Sequence, residues 1–302
     1  MTSEWSEPRS IAGAQAINKR RRADRGSLAG SEVRGVYMTG DREFAKVAID
    51  AALRAGRLIA EQFGTEVSVE YKGDINVVTE VDKASEEAIV NILLLAFPDH
   101  GILAEEGDCR EGSSPYCWII DPLDGTVNYL HGYPHFCVSI ALQERGMTVL
   151  GVVYCPTSGE LFVAEKGAGA LCNDRPIHVS RTPTLHGSLL VTGFPYDVRQ
   201  HGDSYLVHFG SFIRRAQGVR RDGVAALDLC YVAMGRFDGM WEFGLFPWDV
   251  AAGSLAVAEA GGLVSLCNGS PLDIHAGQIV ASNGKIHHEL ISVLREGPRA
   301  VP

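Results

Sequence analysis

The stretch Trp118-Ile-Ile-Asp-Pro-Leu-Asp-Gly-Thr-Val-Asn-Tyr129 places two carboxylates where an apolar, strand-like run ends. Pro122 stiffens the exit from the strand and Gly125 permits a tight turn, so Asp121 and Asp124 are expected to face one spot. Two carboxylates about 4 Å apart repel by roughly 4 kcal/mol at an effective dielectric constant of about 20. Such a pair either holds a proton or recruits a cation, and Mg²⁺ suits it. The alternative is a turn in which both aspartates make only local hydrogen bonds.

Two further acidic stretches lie beside apolar elements. Ala104-Glu105-Glu106-Gly107 follows a short apolar run, and Phe246-Pro-Trp248-Asp249 opens a segment rich in small residues. Each has an ordinary structural explanation when taken singly, because surface glutamates are solvated and an aspartate often caps a helix. Together with the aspartate pair, they form a candidate acidic site drawn from three separate parts of the chain.

The composition is that of a globular protein with an acidic balance. The chain has 302 residues, of which 46% are hydrophobic and 21% charged, and a formal net charge of −10. The negative charge argues against nucleic acid as a partner, because binding to phosphates depends on lysine and arginine. Seven cysteines without a C-x-x-C pair indicate neither a disulfide framework nor a zinc ribbon. No apolar run approaches the roughly 20 residues of a membrane span. We therefore expect a cytoplasmic protein with no membrane partner.

The sequence divides into four regions. Residues 1–37 contain more basic than acidic residues and few large apolar ones, which predicts a flexible basic N-terminal extension. Residues 38–185 contain closely spaced strand patterns separated by turns, which predicts a half built on an antiparallel sheet. Residues 186–297 alternate strand and helix patterns and predict an α/β half, and residues 298–302 form a short tail. The predicted fold class is thus α/β, with an α+β N-terminal half and an α/β C-terminal half.

Hydrophobic periodicity predicts the individual elements. Apolar residues recur at helical spacing from Asp41, a candidate N-cap, to Gly64. Thr79 and Asp82 have the spacing of a capping box, which places Asp82 in the first turn of a helix that Pro98 ends. Strands are predicted at 67–71, 101–104, 117–120, 136–143, 149–154 and 160–164, and then at 188–192, 239–242, 262–266 and 278–281. Helices of the second half are predicted at 204–216, 224–234, 249–260 and 285–294.

Other motifs give weaker alternatives. The ten histidines, including His131, His135 and the pair His287-His288, show no H-E-x-x-H or C-x-x-C-H spacing, so surface or core roles are expected for them. The glycine-rich segment 159–169 lacks the Lys-Ser/Thr of a phosphate-binding loop and is interpreted as a hairpin.

Taken in order, the motifs strongly resemble the inositol monophosphatase family of metal-dependent phosphatases. The resemblance covers roughly residues 43–294, and a single D-x-x-D-G-T motif would be a much weaker indication than the ordered set. Its segments are Asn76-Val-Val-Thr-Glu-Val-Asp82, Ala104-Glu-Glu-Gly107, Trp118 to Tyr129, Gly223-Val-Ala-Ala-Leu-Asp228, Trp241-Glu242, Trp248-Asp249 and Glu259-Ala-Gly-Gly262. The resemblance implies a layered α-β-α-β-α sandwich of the sugar-phosphatase type.

The resemblance also implies a set of metal ligands. Glu105, Asp121 and the Leu123 carbonyl would bind one Mg²⁺, and Asp121, Asp124 and Asp249 would bind a second. A weaker third ion would lie beside Glu105. Two such ions neutralise the phosphate, bind the attacking water and stabilise the leaving alkoxide.

Catalytic and substrate-binding roles follow from the same resemblance. Asp82 and Thr126 resemble the pair that activates water, and Glu105 is counted with them as catalytic. The amides of Gly125 and Thr126 would bind phosphate oxygens. The inositol ring would be contacted by Asp124, Ala225, Glu242 and Asp249.

The resemblance implies a Mg²⁺-dependent, lithium-sensitive phosphatase that forms a homodimer. Glu242, seven residues before Asp249, matches the family's carboxylate that accepts hydrogen bonds from ring hydroxyls, which favours inositol 1-phosphate as substrate. Val224 stands where the family commonly has Ser or Thr, so substrate preference stays open. The alternatives are activity on histidinol phosphate, fructose 1,6-bisphosphate or 3′-phosphoadenosine 5′-phosphate, or a catalytically weak scaffold protein.

Overall fold

A computed structural model describes residues 42–65, 67–71, 77–107 and 109–296. The predicted N-terminal extension (1–37), the tail (298–302) and the candidate N-cap Asp41 lie outside these residues. All described residues belong to one structural unit. Within them, no helix is long and apolar enough to cross a membrane.

The first half is built on an eight-stranded sheet. Its strands are β3 (Gly101–Ala104), β4 (Cys109–Arg110), β5 (Tyr116–Asp124), β6 (Cys137–Glu144), β7 (Met147–Cys155), β8 (Glu160–Glu165), β9 (Gly169–Cys172) and β10 (Arg175–Pro176), in the order β10-β9-β8-β7-β6-β5-β3-β4. A separate hairpin of β1 (Val69–Tyr71) and β2 (Val77–Thr79) precedes them. The pairings of the large sheet are antiparallel except for that of β3 with β5. The prediction of a mainly antiparallel sheet is therefore correct.

Helices cover both faces of this sheet. On one face, α1 (Arg42–Gln62) and α2 (Glu80–Ala96) pack against its central strands, with buried alanines on α1 permitting close approach. On the other face lie α5 (Ala225–Ala233) and α6 (Pro247–Glu259), which also pack on each other. Because both faces are covered, central strands such as β6 are buried along almost their whole length.

The second half adds a five-stranded sheet and an outer helical layer. Its strands are β11 (Leu189–Thr192), β12 (Gly218–Arg220), β13 (Gly239–Phe243), β14 (Leu263–Ser265) and β15 (Gln278–Ser282), in the order β12-β11-β13-β15-β14. The helices α4 (Val198–Ile213) and α7 (His287–Arg295) lie on its outer side, around the stacked rings of Phe212 and Trp241. The predicted α-β-α-β-α layering is thus confirmed.

The structure corrects several predicted boundaries. Helix α4 begins at Val198, six residues before the predicted start at Ser204, and β5 extends four residues beyond its predicted end. The two-residue strands β4 and β10 and the three-residue strand β12 were not predicted, and neither was β9. The hairpin interpretation of 159–169 is correct, since β8 and β9 pair antiparallel there.

Candidate active site

Asp121 and Asp124 lie at the end of β5. The pairing of β5 with β6 changes register between Asp121 and Asp124, as expected where Pro122 interrupts a ladder. The amide of Leu123 donates to Asp121 Oδ1 at 3.0 Å, and the amide of Ala226 donates to Asp124 Oδ2 at 2.8 Å. The second bond ties the end of β5 to the first turn of α5, so the site spans both halves of the fold.

Gly125 makes the turn that follows. Its φ of 96° lies in the left-handed region, and a Cβ there would come within 2.9 Å of Val224 Cγ2 and 3.1 Å of the His135 carbonyl oxygen. Glycine therefore satisfies both the backbone and the space at this position. The short helix α3 (Thr126–Leu130) starts directly after it.

Two further elements bring the remaining acidic side chains to the same place. Glu105 follows β3, whose parallel pairing with β5 brings the two strand ends together, and its amide donates to the Ile120 carbonyl at 3.2 Å. Asp249 lies in the first turn of α6, where the Phe246 amide donates to its Oδ2 at 2.6 Å. The first contact joins the ends of β3 and β5, and the second lies at the start of α6. Carboxylates from distant parts of the chain thus reach one cleft.

The cleft has a volume of about 230 Å³. It is lined by Glu105, Asp121, Leu123, Asp124, Gly125, Thr126, Ala225, Glu242 and Asp249, together with Val127, Asn128, Phe194, Pro195, Tyr196, Val198, Arg221, Gly223, Phe243, Gly244, Leu245, Phe246 and Trp248. Every predicted site residue except Asp82 lines it.

Asp82 lies behind the cleft wall and contacts it through Thr126. The Thr126 hydroxyl lies 2.9 Å from Asp82 Oδ1 and 3.1 Å from the Leu123 carbonyl oxygen. The predicted capping box is present, because the Thr79 amide donates to Asp82 Oδ2 at 2.8 Å and Thr79 Oγ1 accepts from the Asp82 amide. The Thr79 hydroxyl also contacts Asp82 Oδ2. Burial raises the pKa of Asp82, while these hydrogen bonds oppose the shift.

The carboxylates of the cleft raise one another's pKa. Burial, followed by repulsion from Glu105, Asp124 and Asp249, raises the pKa of Asp121 well above its usual range. Burial raises the pKa of Asp124 to about 8, against the opposing Ala226 hydrogen bond, and Glu242 and Glu105 add to the increase. Burial and the proximity of Asp124 raise the pKa of Asp249 to about 8.

Glu242 occupies the side of the cleft formed by β13. It is buried, and Oε2 finds no hydrogen-bond partner among the described residues. Burial raises its pKa to about 8, with Asp249 adding to the increase and Arg221 opposing it. A Cβ on Gly193 would lie 1.8 Å from Glu242 Oε1, so the carboxylate occupies the space that a larger residue at position 193 would take.

Sequence reasoning missed Gly193, which lies beside Glu242, and several residues that line the cleft. Gly193 follows β11 and gives no periodic signal, and Arg221 sits in a basic pair that is typical of a solvated surface. The aromatic rim formed by Phe194, Tyr196 and Phe246 was also missed. The Thr192-Gly-Phe-Pro195 sequence directly after a strand could have indicated a functional loop.

The donor set fits Mg²⁺. Hard carboxylate oxygens from separate elements converge, and burial together with mutual repulsion raises their pKa values, so a bound cation would favour the ionised forms. Asp121, Asp124 and Asp249 each accept a backbone amide, and a carboxylate has capacity for about four such contacts, so ligand positions remain.

We expect Mg²⁺ affinity to fall as the pH decreases below about 8. Asp124 and Asp249 have pKa values of about 8, so each holds a proton below that pH and a cation must displace it. Affinity should fall about tenfold per pH unit for each proton displaced and level off above pH 8. Calorimetric Mg²⁺ titrations at several pH values, in buffers of different ionisation enthalpy, measure both the affinity and the protons released. A pH-independent affinity without proton release would contradict the electrostatic description of the cleft.

Comparison with known protein families shows where the chain belongs. The pattern of the Inositol monophosphatase family matches residues 41–299. The chain therefore belongs to the inositol monophosphatase family.

The chain has similar sequence identity to relatives named inositol monophosphatase and to relatives named SuhB. An inositol-1-monophosphatase of Synechocystis sp. is 48% identical over 256 residues, covering 84% of this chain and 89% of that protein. The Nus factor SuhB of Pseudomonas aeruginosa is 46% identical over 256 residues, covering 82% and 94%. Among solved structures, the extragenic suppressor protein suhB of Bartonella henselae has a TM-score of 0.82 at 42% identity, covering 84% of this chain and 99% of that one. An inositol monophosphatase from Anabaena sp. has a TM-score of 0.78 at 45% identity, covering 86% and 98%.

Proposed function

We propose that this protein is a Mg²⁺-dependent phosphatase that hydrolyses inositol monophosphate to myo-inositol and phosphate. The observation that supports it most directly is the convergence of Glu105, Asp121, Asp124 and Asp249 beside the Thr126 hydroxyl in one cleft. Burial and mutual repulsion raise the pKa values of these carboxylates, an arrangement that a cation-binding site explains better than a purely structural role does.

The proposed ligands are those predicted from the sequence. Glu105, Asp121 and the Leu123 carbonyl would hold one Mg²⁺, Asp121, Asp124 and Asp249 a second, and a third would be held more weakly beside Glu105. When bound, these ions would neutralise phosphate charge, lower the pKa of water and stabilise the leaving alkoxide.

The protein's own groups would prepare the water for attack. The Thr126 hydroxyl donates to Asp82 Oδ1, which leaves lone pairs on Thr126 Oγ1 to accept a proton from water in the cleft. As water transfers a proton to Thr126, the threonine proton passes to Asp82, whose pKa burial raises. The water oxygen forms the new bond to phosphorus while the bond to the inositol oxygen breaks. The product alkoxide would take a proton from a second water molecule to give the free hydroxyl, and Asp82 would return its proton to solvent.

Substrate recognition would use further groups of the same cleft. The amides of Gly125 and Thr126, at the start of α3, would donate to phosphate oxygens, since the first amides of a helix have no intrahelical partner. Glu242, Asp124 and Asp249 would accept hydrogen bonds from ring hydroxyls, and Ala225 would contact the ring. The Glu242 Oε2 atom, buried without a partner among the described residues, is suited to accept such a bond.

Replacing Glu242 with glutamine is expected to raise KM for inositol 1-phosphate. The change should cost roughly 1 to 3 kcal/mol of transition-state binding, the scale of leaving a buried polar partner unsatisfied. A small aromatic phosphoester has no ring hydroxyls, so its hydrolysis should change far less. Steady-state kinetics on both substrates measure the difference. Equal losses on both would show that Glu242 supports the fold or the metal site instead of the sugar ring.

The substrate class is tested by comparing four phosphoesters. We expect inositol 1-phosphate to give a higher kcat/KM than histidinol phosphate, fructose 1,6-bisphosphate or 3′-phosphoadenosine 5′-phosphate. A second phosphate near Glu242 would be repelled by the acidic wall of the cleft. A clear preference for any of the other three would assign the protein to that activity.

A role like that of the relatives named Nus factors is the second candidate. It is favoured by the 46% identity to SuhB of Pseudomonas aeruginosa and by the 43% identity to SuhB of Escherichia coli. Such a role need not require catalysis. Replacing SuhB in E. coli with this chain or with its Asp121→Asn variant separates the two functions. Equal growth with both would show that the shared role is independent of the phosphatase site.

A further inference from the structure

A second group of potential metal ligands lies outside the cleft. His135, Asp222 and Asp228 each offer one ligand atom, and these atoms all lie within 4.8 Å of one another. None of the three lines the catalytic cleft, although Arg221 and Gly223, on either side of Asp222, do. The group is therefore separate from the proposed Mg²⁺ ligands.

Asp228 is the member that a structural role explains least well. It is 0% exposed, in the first turn of α5, and neither carboxylate oxygen finds a hydrogen-bond partner in the part of the chain that the structure describes. Burying a carboxylate without a partner is costly. Burial raises its pKa well above the usual range, and Glu242, Asp222 and Asp124 add to the increase, while Arg221 opposes it.

Hydrogen bonds from Asn128 hold the backbone of His135 and of Asp222 near Asp228. The Asn128 Nδ2 donates to the carbonyl oxygens of both His135 and Asp222, at 2.9 Å each, which fixes the two loops relative to each other. The Nε2 atom of His135 is buried and finds no partner among the described residues. The buried Asp228 and the half-buried His135 thus both have ligand atoms without a partner among the described residues, and these atoms lie close together.

We propose that His135, Asp222 and Asp228 bind a divalent transition-metal ion such as Mn²⁺ or Zn²⁺. The two carboxylates balance the charge of such an ion, and the imidazole nitrogen favours it over Mg²⁺. Ligand atoms at about 2.1 Å from an ion lie roughly 3 to 3.5 Å apart, which small side-chain rotations reach from the observed spacing. Water would complete the coordination.

The ion would stabilise the connection between β12 and α5. Asp222 lies in that connection, between two residues that line the catalytic cleft, while His135 precedes β6 and Asp228 lies in α5. Binding would therefore hold Arg221 and Gly223 in place at the cleft wall. This role does not depend on the substrate or on phosphatase activity.

The test counts Mn²⁺ bound to the metal-free full-length protein by equilibrium dialysis. Pulsed electron paramagnetic resonance then detects nitrogen coordinated to Mn²⁺. The proposed catalytic ligands are all oxygen atoms, so a nitrogen coupling reports the second site. We expect the wild type to bind one Mn²⁺ more per chain than His135→Gln or Asp222→Asn, and both variants to lose the nitrogen coupling. Asp203→Asn, which removes one exposed acidic group on α4, should match the wild type.

Two further variants keep the result unambiguous. Asp228→Asn removes the buried charge, so the metal-free variant should melt no lower than the wild type while losing the extra ion. Asp121→Asn should keep the nitrogen coupling, so failure of the phosphatase proposal would leave this one standing. The same number of bound ions in the wild type, His135→Gln and Asp222→Asn, with no nitrogen coupling in any of them, would overturn the proposal.

Discussion

Asp121→Asn is expected to lower kcat on inositol 1-phosphate by several orders of magnitude. Asp121 is the residue proposed to bind both ions, and burial together with repulsion from Glu105, Asp124 and Asp249 raises its pKa. Asparagine has nearly the same shape but lacks the charge, so the ions would be bound weakly and mispositioned, and precise charge placement is among the largest contributions to catalysis. Steady-state kinetics at saturating Mg²⁺ measure the loss.

The same substitution should stabilise the metal-free protein. Burial and repulsion disfavour the Asp121 carboxylate, so removing its charge relieves a cost that Mg²⁺ otherwise offsets. We therefore expect Asp121→Asn to melt at or above the wild type without metal and to gain less than the wild type when Mg²⁺ is added. Asp203→Asn serves as the matched control. A folded Asp121→Asn protein with near-normal activity would show that the two-metal assignment is wrong.

Thr126→Val is expected to lower kcat by roughly 10²- to 10⁴-fold, the range of general acid–base catalysis. Valine keeps the shape of threonine but removes the hydroxyl that lies 2.9 Å from Asp82 Oδ1, so proton transfer from water loses its acceptor. KM and Mg²⁺ affinity should change much less, because the metal-binding carboxylates are unchanged. Rapid-mixing and steady-state kinetics separate the chemical step from binding.

Thr126→Ser is the matched control, because it restores the hydroxyl with one methyl group fewer. It should recover most of the activity lost in Thr126→Val. If Thr126→Ser were as inactive as Thr126→Val, position 126 would act through the fold of α3 and not through proton transfer.

Most of the fold was predictable because its strands and helices carry clear hydrophobic periods. The predicted capping box of Thr79 and Asp82 is present, and the five-layer arrangement is as the resemblance implies. The start of α4 was missed because Val198 to Asp203 is largely polar and contains Gly202, which weakens the helical pattern. Strands β4 and β10 have two residues each. They are defined by their pairing with a neighbouring strand, which a local sequence pattern does not reveal.

The residues of the candidate site were predictable where they lie in short sequence motifs. The structure brings Glu105, Asp121, Asp124, Thr126 and Asp249 together, although their individual roles remain predictions. Gly193 was missed because its importance depends on the nearby Glu242 side chain, forty-nine positions away in the chain. The group formed by His135, Asp222 and Asp228 was missed because its members come from two loops and one helix with no shared spacing in the sequence. The expected homodimer, the cytoplasmic location and the absence of a nucleic-acid partner also remain predictions.

The central claim is tested most directly by phosphate release from inositol 1-phosphate, measured with chelator-treated protein before and after Mg²⁺ is restored. The wild type should be inactive without Mg²⁺ and regain full turnover with it, while Asp121→Asn should stay inactive in both conditions. Phosphate release that is equal with and without Mg²⁺, or no release above the Asp121→Asn background at any Mg²⁺ concentration, would contradict the account.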